Sequence, residues 1–307
     1  VHTKKKSLNF LKALRKNAGL YILFSIPFAW YILFQYVPIY GLQIAFRRFN
    51  PTLGITGSDW VGLTYFKQFF SSYYFKDVVW NTISLSLFTM LIGFPMPIFL
   101  ALLINEIRNR RFQKVIQNIT YLPNFLSVVV IVSMLNLFSN PSYGLFNTVR
   151  QFFGFPAADL ITKPEYFQPM YVFSNVWQFM GFNSVVYIAA LSSIDPCLYE
   201  AASIDGASRF QKIIRISLPC IKTTILIMLI MRIGNLMSVG FEKVLLMQNP
   251  VNTTASEIIS TFIYKNGIKK GQFSYSAAVG IFNSLINFFL LISANFISRK
   301  ASKTSLW

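Results

Sequence analysis

Six apolar segments, residues 20–46, 79–105, 119–138, 167–191, 218–247 and 277–297, divide the chain, and each reaches the roughly 20 residues a helix needs to cross a bilayer core. A hydrocarbon core offers no partner to backbone N–H and C=O groups, so segments of this kind are helical. The expected fold is an all-α integral membrane protein with six transmembrane helices. Composition agrees: 54% of the residues are hydrophobic, 12% are charged and the mean hydropathy is +0.50, too apolar for a soluble domain. The first segment follows Lys4, Lys5, Lys6, Lys12, Arg15 and Lys16, as a secretion signal would. It runs well beyond the roughly 7–15 residues of a signal core, and no small-residue cleavage site follows, so it reads as a retained helix.

The net charge of +18 would suggest nucleic-acid binding in a soluble protein. Here the cations map topology. They are densest at the N-terminus, in 106–114 (Arg108, Arg110, Arg111, Lys114), in 209–222 (Arg209, Lys212, Arg215, Lys222) and in the tail (Arg299, Lys300, Lys303). The longer intervening loops hold them more sparsely, so the positive-inside rule puts both termini in the cytoplasm of a bacterial cell membrane and excludes nucleic acid as partner. The outer loop 47–77 combines turn signals with Tyr65, Phe66, Phe69, Phe70, Tyr73 and Tyr74. That spacing suits either a short surface helix or an aromatic belt, and the belt is the simpler reading. Cys197 and Cys220 imply no disulfide framework, and His2 is the only histidine, so neither a histidine metal cluster nor a histidine triad can form. No metal site is expected.

The polar interval 192–219 carries the most specific information. Asp195-Pro196 is a helix start. A short helix through Asp205 then stops at Gly206, the residue type that best accepts a left-handed helix terminus. Ser208 and Gln211 have capping-box spacing for a second short helix, and Pro219 opens the fifth apolar segment. Two short helices hinged at a glycine are therefore predicted between the fourth and fifth spans. Small Ala201 and Ala202 beside Glu200 permit close approach of a partner, and Arg209, Lys212 and Arg215 offer charge pairing.

The run Glu200-Ala201-Ala202, three residues, Gly206, nine residues, Ile216-Ser217-Leu218-Pro219 resembles the EAA loop of permease subunits in bacterial ABC importers of the MetI-like, binding-protein-dependent type. Weaker similarity extends from Asn81-Thr82 through 102–106 and Tyr121-Leu122-Pro123 to the last span. Pro38-Ile39-Tyr40-Gly41 with Ile44-Ala45-Phe46 resembles the branch serving polysaccharide and complex-oligosaccharide uptake. The resemblance implies a cytoplasmic coupling loop in which Glu200, Ala201, Ala202, Asp205, Gly206, Arg209, Leu218 and Pro219 engage an ATPase. It also implies two ATPase copies, a second homologous permease chain and an extracellular solute-binding protein. No G-x-x-x-x-G-K-[ST] phosphate loop occurs, so ATP and Mg are expected on the partner subunits, with no cofactor and no catalytic residue in this chain. The implied organisation is a cytoplasmic N-terminus, first helix and outer loop over 1–78, a five-helix core over 79–298, and a cytoplasmic tail over 299–307.

Polar residues within spans tend to line a path or join helices. The candidates are Gln178 and Asn183, Arg232 and Asn235, and Asn283 and Asn287, with Trp177 and Phe182 able to stack on a pyranose. Sugar contact and helix joining are equally open for the amides. Arg232 has no acidic residue at helical spacing; its guanidinium matches either a uronate carboxylate or, more blandly, the partner permease or helix-end carbonyls. A secondary transporter would show ionisable coupling sites within its spans, and none is evident beyond Arg232. A membrane-embedded enzyme would need a reactive cluster, and an importer permease for a non-sugar solute is the remaining alternative.

Overall fold

The computed structural model describes residues 16–302, so the basic residues before Lys16, His2 and Lys303 lie outside the described residues. Three helical stretches cross a membrane by length and composition: α1 (Ala18–Phe46), α3 (Phe75–Asn105) and α13, whose apolar part is Phe273–Lys300. Three further pairs qualify only if each bent pair is one span, giving 3 to 6 spans in all.

The 96° and 62° bends fall within segments that hydropathy reads as straight, whereas the 71° bend lies past the fourth segment, at the start of the foreseen short helix. The third segment is divided between α4 (Arg110–Phe125) and α5 (Val128–Phe138), which meet at 96°. Ser127 supplies the reason: its side chain caps α5 by accepting from the Val130 amide at 3.3 Å, so a new helix starts where the apolar run is unbroken. The fourth segment is α7 (Pro164–Ser192), 29 residues long. The fifth is not one helix over 218–247. It comprises α10 (Lys222–Gly234), an irregular turn over 235–240 and a separate α11 (Phe241–Met247). Gly234 and Gly240 bracket that turn, and both are closely approached: a Cβ on Gly234 would lie 2.6 Å from Leu291, and one on Gly240 2.8 Å from the Tyr171 hydroxyl.

The segment 47–77 departs from an all-helical chain. β1 (Arg47–Asn50) pairs antiparallel with β2 (Ser58–Trp60), and Arg47 donates to the Ser58 carbonyl at 2.8 Å while its guanidinium lies over the Trp60 ring. The short helix foreseen there exists as α2 (Thr64–Phe70). Of the aromatics foreseen here, Phe69 is buried against Phe75, Phe262, Tyr275 and Phe282, which fastens the segment to α13, while Phe70, Tyr73 and Tyr74 are exposed. A small helix α6 (Leu145–Phe152) and a further one, α12 (Ile259–Tyr264), complete this end.

One core joins α3, α5, α7 and α11 through Leu85, Ile131, Tyr171, Val176 and Val244. A second joins α3, α12 and α13 through Val78, Phe262, Tyr275 and Val279. Polar side chains in these cores serve the backbone: Thr82 donates to the Val78 carbonyl and accepts from the Ile259 amide, tying α3 to α12. Large apolar side chains are left exposed, Leu20, Leu23, Ile26 and Phe34 on α1 among them, which suits a surface whose solvent is lipid.

Candidate functional site: a polar cavity and a coupling elbow

A cavity of about 560 Å³ opens between α3, α7, α10 and the 235–240 turn. Asn175 and Asn183 enter from α7, Ser86 and Thr89 from α3, and Arg232 and Asn235 from the end of α10. Residues 175, 179 and 183 recur at four-residue spacing, so one face of α7 supplies the wall. Arg232 is the only charged residue lining the cavity, and among the described residues it forms no ion pair. It is exposed rather than enclosed. This set can hold a polyhydroxylated ligand through amides and hydroxyls, and an anion through the guanidinium.

The structure sorts the expected path residues. Asn183, Arg232 and Asn235 meet at the cavity. Gln178 does not reach it: the residue is 2% exposed and donates to the Leu126 carbonyl at 3.3 Å, tying α7 to the α4–α5 bend. Asn287 joins elements, accepting from the Met237 amide at 2.9 Å and donating to the Ser238 hydroxyl at 3.2 Å, which pins the turn after α10 to α13. Asn283 is half-buried, with an Oδ1 that lacks a partner. Trp177 lines a different, apolar groove with Met96, Met134 and Phe138, and Phe182 packs edge-on against Phe125. Sequence reasoning missed Asn175, Tyr171, Ser86 and Lys243. Asn175 was visible two turns before Asn183, and Lys243 as a cation inside an apolar run; Tyr171 and Ser86 carried no signal.

The second feature follows α7. Helix α8 (Pro196–Ile204) leaves it at 71°, and α9 (Arg209–Cys220) meets α10 at 62°. Asp195 caps α8 by accepting from the Cys197 amide at 2.9 Å, which holds its carboxyl below the usual carboxylate range. Gly206 has φ +75, and the amides of Gly206 and Ala207 return to the carbonyls of Ser203 and Ala202 at 3.2 and 2.9 Å. Those two bonds form a Schellman terminus, the reason glycine stands there. Ser208 and Gln211 cap each other reciprocally, as their spacing requires.

The glycine is an elbow, not a free hinge. Lys212 Nζ donates to Ser203 Oγ at 2.6 Å across it, and the Tyr199 hydroxyl meets Ser217 Oγ at 2.9 Å. Glu200, Ala201, Asp205, Arg209 and Pro219 are exposed, Ala202 is half-buried, and Leu218 packs on the core of Ala101, Tyr187 and Ile221. Leu198, Ile204, Phe210 and Ile214 are exposed on the same two helices, with Ile204 at 88%. The two helices thus present exposed apolar side chains beside charged ones.

Residues 93–303 match the family described as binding-protein-dependent transport system inner membrane component. The chain is 38% identical over 307 residues, 100% of its length and 96% of the relative's, to the polygalacturonan/rhamnogalacturonan transport system permease protein YteP of Bacillus subtilis (strain 168). It is 26% identical over 270 residues, 87% of this chain and 84% of the relative, to the arabinooligosaccharides transport system permease protein AraP of the same organism. Its fold matches a chain of a bacterial ABC transporter involved in import of the acidic polysaccharide alginate, with a TM-score of 0.88, 38% identity and coverage of 96% of this chain and 99% of that one. The same match holds for that transporter in complex with its alginate pentasaccharide-bound periplasmic protein.

Proposed function

This chain belongs to the family of binding-protein-dependent transport system inner membrane components, the multi-pass permeases of ABC sugar importers, and on that premise we propose that its cargo is an oligosaccharide bearing carboxylates. The observation that carries the cargo reading is the cavity itself, where Arg232 is the sole charged lining residue among amides and hydroxyls. A guanidinium donates two parallel hydrogen bonds to a uronate carboxylate, while Asn175, Asn183 and Asn235 supply both donors and acceptors for ring hydroxyls. The names borne by the relatives, polygalacturonan/rhamnogalacturonan and alginate transport, point to the same chemistry.

In this reading the chain contributes six spans, with residues 79–298 as the core and both termini cytoplasmic. A second, homologous permease chain completes the path, and an extracellular binding protein delivers cargo to it. The α8–α9 elbow, centred on Glu200, Ala201, Ala202, Asp205, Gly206 and Arg209, seats in an ATPase of which two copies bind ATP and Mg. Closure of the ATPase pair pushes the elbow, and α7 and α10, which flank it and wall the cavity, exchange access from one side to the other.

The test is uptake by the complete importer in proteoliposomes. Arg232→Ala is expected to depress uptake of uronate oligosaccharides while sparing neutral ones; equal loss for both would end the carboxylate reading. Purification of a tagged chain, wild type against Gly206→Pro, checks the elbow: the ATPase is expected with the wild type and absent with the variant.

A further inference from the structure

The Tyr171 wall of the cavity conceals a second cation. Lys243 on α11 is 3% exposed, and its Nζ has no hydrogen-bond partner among the described residues. The ammonium lies 5.6 Å from the centroid of the Tyr171 ring. Tyr171 is 2% exposed, lines the cavity, and accepts at its hydroxyl from the Gly240 amide at 3.1 Å. Tyr171 thus stands in the cavity wall with the Lys243 ammonium over its ring, while Lys243 itself does not line the cavity.

No carboxylate offsets this charge. The cavity lining contains no acidic residue, and the ion pairs among the described residues are Lys163–Glu165 and Lys265–Glu257. An unpaired ammonium that is 3% exposed is costly, and contact with one aromatic face repays only part of that cost. Packing gives no reason for it, since a methionine has nearly the same length and no charge. A charge enclosed by apolar groups is weakly screened, however, so its field reaches the cavity.

We propose that Lys243 is a specificity-determining residue for anionic cargo, acting through the Tyr171 ring. Its positive potential adds to that of Arg232 and is neutralised only when carboxylates enter, so part of the cost of burying it is recovered as selectivity. The inference rests on the carboxylate-cargo reading above.

The experiment uses the complete importer with its binding protein in proteoliposomes, and galacturonate and mannuronate oligosaccharides, each as free acid and as neutral methyl ester. Lys243→Met is expected to raise the KM for the transported acid by roughly tenfold, the scale of one partly screened charge, and to leave the ester unchanged. Lys243→Arg should stay near wild type. If Lys243→Met does not assemble, the neutral and polar Lys243→Gln is read in the same way. Equal effects on acid and ester, or none on either, overturn the role of Lys243 while the wild-type preference for acid keeps the cargo reading intact. A wild type that takes up the esters as well as the acids, or neither acid, sinks the cargo reading and this inference with it.

Discussion

Replacing Gly206 by alanine isolates the backbone contribution of the elbow. At φ +75 no heavy atom would lie within 4 Å of an added Cβ, so the substitution meets no steric obstacle and its cost is purely torsional. Holding an L-residue in the left-handed region costs about 1–2 kcal/mol. If that strain is relieved by opening the Schellman terminus, the docking-competent elbow becomes a minority form, and apparent ATPase affinity falls by up to the same factor, roughly 5–30-fold. Asparagine visits the left-handed region more readily, so Gly206→Asn should recover much of the loss. The assay is titration of the ATPase onto the reconstituted permease, read as stimulated ATP hydrolysis, with cargo affinity measured alongside. Cargo affinity should not move, because the cavity lies beyond the elbow's hydrogen bonds. Alanine and asparagine variants that both dock like wild type would refute the argument that conformation at this residue governs coupling.

Gly181→Ala should disrupt assembly, because the new Cβ would fall 1.9 Å from the Thr120 carbonyl where α4 crosses α7; overpacking of this kind costs about 1–3 kcal/mol, visible as a lower Tm in detergent. Asn287→Leu strands the Met237 amide, whose residue is 3% exposed, and should cost about 1–3 kcal/mol in the same assay; an unchanged Tm would refute the tie between α13 and the turn. The Asp195 carboxyl titrates below its ordinary range because it accepts from the Cys197 amide, so its contribution is complete above the unfolded-state pKa and is lost as pH falls through the lower, folded one. Docking should therefore weaken only in that acidic window, and Asp195→Asn should remove this component of the pH profile.

The elbow was legible in the sequence almost residue by residue, because capping is local chemistry. Asp195-Pro196, Gly206 and the Ser208–Gln211 pair each act within a few residues, and each adopts the conformation its type demands. The bonds that stiffen it were not legible, since Tyr199 and Ser217 are 18 positions apart and meet only through tertiary packing. Hydropathy located the apolar segments but not the bends, because a broken helix and a straight one bury the same residue types; only Ser127, Gly234 and Gly240 hinted otherwise. The cavity was half visible. Arg232, Asn183 and Asn235 stood out by polarity, but so did Gln178 and Asn287, and nothing local distinguishes an amide facing a void from one holding a neighbouring backbone.

The bonds from Lys212 to Ser203 and from Tyr199 to Ser217 have a mechanical consequence. A compliant joint would absorb part of an applied stroke as bending, and the far end of the bundle would lag the near one. Braced on both sides, the elbow behaves as a crank of fixed angle. In the coupling role proposed above, its displacement passes into α7, a 29-residue rod that at about 1.5 Å per residue spans about 43 Å. A small rotation at one end becomes a larger excursion at the other.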